Sequence, residues 1–120
     1  MTRTALEREI IIQLRDKRIQ YPLTRKDLAG RLRWRGLITT PDDRPMRKAI
    51  EELRKEGFLI CHRKGSDGGY YMAGSKEEYE DFRAREYKSR IVSPADTLRE
   101  MDKSAEAQFG EEIQMELFQI

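Results

Sequence analysis

The chain has 120 residues, 38% hydrophobic and 38% charged, with a net charge of +2. That balance allows one domain and a tail, and it excludes a membrane-spanning helix, because the longest apolar runs, Ile10-Ile11-Ile12 and residues 58–61, are far too short. Cys61 is the single cysteine, which excludes an internal disulfide, and residues 1–15 carry Arg3, Glu7, Arg8, Glu9 and Arg15 where a secretory signal has its apolar core, so a reducing cytoplasm is the expected compartment.

Leu6, Ile10 and Leu14 recur every four residues with Ile11 beside them, which predicts an apolar stripe on a helix over 4–18. Tyr21-Pro22 ends it, since proline disfavours helical geometry at the residue before it. Thr24 and Asp27 form a variant of the capping box and open a helix over 25–33 that buries Leu28, Ala29 and Leu32. Trp34 and Leu37 are expected to close over that core. A third helix begins near Asp42 or Asp43, either of which can cap it, with Pro45 in the first turn. Met46, Ala49, Ile50 and Leu53 form its buried stripe. At about 100° per residue, Arg44, Lys48, Glu51 and Lys55 lie opposite, with Arg47 and Arg54 at the borders. Gly57 is the expected left-handed stop. Residues 58–62 read as a strand, 64–69 as a glycine-rich turn and 70–73 as the returning strand.

Ser75 and Glu78 form a second capping box for a helix running to about Arg90, with Tyr79, Phe82 and Ile91 on its apolar edge and Tyr87 off it. Pro94 starts a short helix through Leu98 and Met101, and residues 102–112 read as a linker. The expected organisation is a first domain over 1–74, a helical extension over 75–102, and a linker with a terminal interaction peptide over 103–120. There is no internal repeat. Charge follows the same division. Residues 1–74 hold 17 basic and 10 acidic side chains, net +7, and residues 75–120 hold 7 and 12, net −5. A basic front suits phosphate and an acidic back suits solvent or a protein. The alternative is two solvated surfaces that differ by accident.

Three helices and a hairpin with a cationic third helix point to nucleic acid. A helix fits the major groove and reads bases from its N-terminal part, where Arg44, Arg47 and Lys48 stand. Arg54 and Lys55 lie further along, at phosphate positions, and Arg63 and Lys64 sit at the hairpin tip. The stretches Leu23-Thr24-Arg25-Lys26-Asp27-Leu28-Ala29, Arg47-Lys48-Ala49-Ile50-Glu51-Glu52-Leu53-Arg54-Lys55-Glu56-Gly57, Ile60, and Gly69-Tyr70-Tyr71-Met72-Ala73 resemble winged helix-turn-helix domains of biotin-repressor-type regulators and phage-encoded proteins. The resemblance covers about 70 of the 120 residues. It implies an α+β, mostly helical fold: three helices and a β-hairpin wing, followed by a helical extension and a tail. The chain departs from a tight helix-turn-helix, because residues 34–41 separate the second and third helices.

The terminal Gln114-Met115-Glu116-Leu117-Phe118 resembles the bacterial sliding-clamp-binding motif. That resemblance implies an extended peptide with Gln114 in a small polar pocket, Leu117 and Phe118 in an apolar one, and Met115 at the aliphatic position. Burying leucine and phenylalanine contributes about 3–6 kcal/mol before entropic costs. The alternation of Ile113, Met115 and Leu117 also fits packing on the chain's own domain or a dimerising strand.

Cys61-His62 cannot make a four-ligand zinc site alone, and adjacent strand residues face opposite ways. The turn 65–69 lacks the lysine and spacing of a phosphate loop, and Ser66, Asp67 and His62 make no credible catalytic triad. Tyr79, Phe82 and Tyr87 suit a core or a dimer contact through 75–102. The expected function is a non-enzymatic DNA-binding protein without catalytic residues, metal or cofactor, of phage type, associated with replication and recruited by the clamp-like peptide. The alternatives are a dimeric winged-helix transcriptional regulator and a protein–protein adaptor that binds no DNA.

Overall fold

Thr4 opens the first helix, α1 (Ala5–Leu14), with a complete capping box: its hydroxyl accepts from the Glu7 N–H at 3.0 Å, and the Glu7 carboxylate accepts from the Thr4 N–H at 2.8 Å. The structure, a computed structural model, describes residues 3–89 and 95–110. α1 stops short of the expected Arg18: the Lys17 N–H bonds to the Leu14 carbonyl at 2.9 Å, a tighter i→i−3 turn, and the carbonyls beyond it serve other donors. The Arg18 guanidinium donates to the carbonyls of Arg15 and Lys17, and the Lys17 carbonyl also accepts from the Met72 N–H at 3.1 Å.

Thr24 caps α2 (Arg25–Trp34) through the Asp27 N–H at 3.0 Å, and Leu28, Ala29 and Leu32 are buried. Trp34 does not close over this core; it is 90% exposed. It follows Leu32 by two helical positions, about 200° around the axis, and so points away. Ile38 fills the space, with Leu37 packed at its margin. Asp43 is the N-cap residue of α3 (Arg44–Lys55) but makes no side-chain capping bond; Asp42 supplies one instead, its Oδ1 accepting from the Arg44 N–H at 2.9 Å. Met46, Ala49, Ile50 and Leu53 are buried, as their spacing predicts.

The strands β1 (Ile60–Arg63) and β2 (Gly69–Met72) pair antiparallel, with Ile60 opposite Met72 and Arg63 opposite Gly69. Leu23 adds one bridge to Tyr70 through bonds of 2.8 and 2.9 Å. Gly69 permits that approach: a Cβ there would stand 2.3 Å from the Leu23 carbonyl oxygen.

The hairpin separates two apolar clusters. On one side Ile10, Leu14, Leu28, Leu32, Met46, Ile50 and Leu53 join α1, α2 and α3. On the other, Leu59, Cys61, Tyr71 and Ala73 meet Tyr79 and Phe82 of α4 (Lys76–Ser89) and Met101 and Ala105 of α5 (Ala95–Phe109). Ser75 caps α4, but Glu78 reaches past it to the N–H groups of Gly74 and Ile19. Asp102 clasps α4 to α5, accepting from the Tyr79 hydroxyl and from Arg83 Nε at 2.8 and 3.0 Å.

One expectation is corrected here, and one alternative is decided. Residues 103–109 are not linker but the last two turns of α5, because Leu98, Met101, Ala105 and Phe109 continue the helical spacing of its packed face. Tyr79 and Phe82 are each 1% exposed and consumed within this cluster, which removes them from any dimer surface on α4. The segments divided at 74 and 102 therefore meet in the second cluster, where Leu59, Cys61, Tyr71 and Ala73 pack with Tyr79, Phe82, Met101 and Ala105. Ile91 and the terminal peptide with Gln114, Met115, Leu117 and Phe118 lie outside the described residues. Among the described residues the fold is α+β and mostly helical, with five helices and a two-stranded antiparallel sheet. None of these helices is long and apolar enough to cross a membrane.

Candidate nucleic-acid interface

Arg44, Arg47 and Lys48 are all exposed at the start of α3. Two aspartates partly neutralise them. Arg44 Nε lies 2.7 Å from Asp42, and Asp43 holds both Arg47 Nε at 3.0 Å and Arg25 Nε at 3.2 Å. Asp43 thus ties the N-terminus of α2 to that of α3, and its charge sits favourably at the positive end of the α3 dipole. Lys48 has no ion pair among the described residues. Exposed pairs of this kind contribute about 0–1 kcal/mol each, so an incoming phosphate can take over a guanidinium at little cost. Further along, exposed Lys55 pairs with Glu52 at 3.4 Å. Lys64 stands exposed at the hairpin turn.

Two of the expected phosphate contacts carry structural bonds. Arg54 is only 12% exposed: its Nε donates to the Ile60 carbonyl at 2.8 Å, its Nη1 lies 3.7 Å from Glu51, and its guanidinium covers the Phe82 ring at 5.4 Å. It is a strut between α3, β1 and α4. Arg63 donates to the carbonyls of Ile19 and Asp67, both at 2.8 Å, and so braces the hairpin against the loop after α1.

The strand pair Cys61 and His62 splits across the sheet. Cys61 is buried on the α4–α5 side, where burial pushes its thiol up to about 12. His62, half-buried, meets Tyr70 edge-on with ring centroids 5.2 Å apart. Burial first, then the positive Arg54 and Arg25, lowers its pKa and favours the neutral ring. Among the described residues no group of three or more His, Cys, Asp or Glu could hold a metal ion.

Reading the sequence for apolar stripes missed the outer face of α2. Arg25, Lys26, Arg31, Arg33 and Arg35 are exposed there, with Asp27 as the exposed acid among them. Arg31 and Arg35, one helical turn apart, flank α2 toward α1, and Arg33 flanks it toward α3; the run of cations among polar positions is the signal that could have found them. Arg33 is partly committed, donating to the carbonyls of Thr40 and Pro41 and so holding the long second turn. A shallow cavity of about 380 Å³ between this face and the start of α3 is lined by Arg25, Lys26, Arg33, Asp42 and Asp43. The cationic surface therefore extends from α3 onto α2. Compared with known protein families, with curated proteins and with solved structures, the chain finds no match.

Proposed function

We propose that this chain is a winged-helix DNA-binding protein, of phage type and acting in replication, whose C-terminal peptide addresses it to a sliding clamp. One observation carries the DNA reading: a buried-stripe helix, α3, turns Arg44, Arg47 and Lys48 to the surface, beside a cationic α2 and on the same scaffold as a hairpin tipped by Lys64. The Leu23–Tyr70 bridge supports the winged-helix reading, because it anchors the hairpin at the start of α2 and keeps both on one scaffold. The long second turn departs from a tight helix-turn-helix, and Arg33 holds it in one conformation through the Thr40 and Pro41 carbonyls. The likeness of the sequence to phage-encoded winged helices, and of Gln114, Met115, Leu117 and Phe118 to clamp ligands, supports the replication role.

The DNA test is fluorescence anisotropy with a labelled duplex across a salt series. If Arg44, Arg47, Lys48 and Lys64 each meet one phosphate, the logarithm of affinity falls against that of salt with a slope of roughly −3 to −4. Replacing Arg47 and Lys48 together by alanine should flatten that slope by roughly 2 and weaken binding at every salt. Unchanged binding would remove α3 from the interface. The clamp test is a pull-down against a bacterial sliding clamp. Leu117→Ala with Phe118→Ala should abolish capture while the Tm stays constant; capture that survives both changes sinks the address.

A further inference from the structure

Trp34 is the single tryptophan of the chain and is 90% exposed at the C-terminal end of α2. It lines an open groove of about 680 Å³ between α1 and α2, together with Gln13, Lys26, Gly30, Arg31 and Arg35. Two features mark this groove as more than loose surface. Arg31 and Arg35 are held in place from α1: Arg31 Nη1 donates to Gln13 Oε1 at 2.8 Å, and Arg35 Nε lies 3.3 Å from Glu9. Each guanidinium has further N–H donors for an anion. The second feature is Gly30, one helical turn before Trp34. Glycine inside an exposed helix lowers its stability relative to alanine, and no packing demands it here, since a Cβ would meet nothing within 4 Å. Its effect is to leave the space beside the indole empty.

An indole with free faces, flanked by Lys26, Arg31 and Arg35, offers a π-surface and an anion clamp side by side. Those are the two elements by which unpaired nucleotides are held without sequence preference. We propose that this groove binds single-stranded nucleic acid, with one unpaired base stacked on Trp34 and the adjoining phosphates on Lys26, Arg31 and Arg35. Asp27 and Glu9 are the opposing charges. Asp27 lies in the groove wall, whereas Glu9 is largely buried and already engaged by Arg35 and by Gln13 Nε2. A duplex cannot use the site in this way, because its bases are already stacked on one another. Lys26 also lines the cavity toward α3, but Trp34, Gly30, Arg31 and Arg35 do not, and stacking on Trp34 does not depend on duplex binding at α3.

Because Trp34 is the single tryptophan, its fluorescence reports this groove alone. The full chain is titrated with an oligothymidylate of about ten nucleotides, with an abasic strand of equal length, and with a duplex. Oligothymidylate should quench the fluorescence; the abasic strand and the duplex should leave it nearly unchanged. Trp34→Ala, followed by anisotropy, should weaken oligothymidylate binding roughly five- to a hundredfold. Gly30→Leu adds a good helix former and fills the groove, so it should raise the Tm while weakening the same binding. Arg47→Ala with Lys48→Ala should reduce duplex binding and leave the Trp34 signal intact, which separates this site from the α3 reading. Equal quenching by the abasic strand, binding unaffected by Trp34→Ala and Gly30→Leu, or quenching by polyglutamate in place of oligothymidylate would overturn the proposal, the last pointing to an acidic protein.

Discussion

His62 is the single histidine of the chain, and it titrates against the fold. Burial, then the positive Arg54 and Arg25, holds its pKa below the ordinary 6.5. As the pH falls through 6.5 the unfolded chain takes up a proton that the folded protein still refuses. Stability therefore decreases from about that pH down to the lowered folded value, and is insensitive to His62 above it. Urea denaturation at pH values between about 5 and 7, above most carboxylate titration, should show this loss. His62→Phe keeps an aromatic pair with Tyr70 opposite and should flatten the profile; an unchanged slope would assign the effect elsewhere. Cys61 gives a second reading at the same scale. Its buried thiol, pushed up to about 12, should react with iodoacetamide near neutral pH only as fast as the chain unfolds, and the rate should rise with added urea.

Asp43 shows how one side chain organises two helices, because it holds Arg25 of α2 and Arg47 of α3 together. Asp43→Asn keeps the shape, removes the charge and releases both guanidinium groups. Duplex affinity should rise several-fold at low salt, while stability drops by up to about 2 kcal/mol; weaker binding would mean that Asp43 positions the arginines more than it competes for them. The stripes of α1 and α3 and the Thr24 cap were legible in the sequence because their causes lie within a turn or two of the same helix. Arg54 was not. It borders the α3 stripe, and whether it faces water or protein depends on the Ile60 carbonyl and the Phe82 ring on other elements. Arg63 turns inward for the same kind of reason, meeting the Ile19 carbonyl far back in the chain. The end of α5 looked like linker because Ser104 and Ala105 are small. Their smallness is what lets α5 approach Gly57, where an added Cβ would stand 3.0 Å from the Ser104 Cβ. Aromatic character alone does not place Trp34, because its position about 200° from Leu32 around α2 turns it outward.

Among the described residues, packing runs across residue 74. The inner face of β1 and β2 is completed only by α4 and α5, and Arg54 reaches from α3 to Phe82 across that seam. A fragment ending at Gly74 would leave Leu59, Cys61, Tyr71 and Ala73 without cover, in a unit already near the size at which a single core is marginal. It should be unfolded or aggregated when isolated. In the full chain, Met101→Ala empties a fully buried site and should cost about 2–5 kcal/mol, although Met101 is far in sequence from α3. The choice of probe matters. Trp34 is exposed in the folded state, so its emission changes little on unfolding, and tyrosine near-UV circular dichroism is the better reporter for buried Tyr71 and Tyr79. Its transition should coincide with the helical far-UV signal, and Met101→Ala should shift both together. Transitions that separate, or a 1–74 fragment that melts cooperatively near the Tm of the full chain, would restore two independent units and place the nucleic-acid surface on a domain that stands without α5.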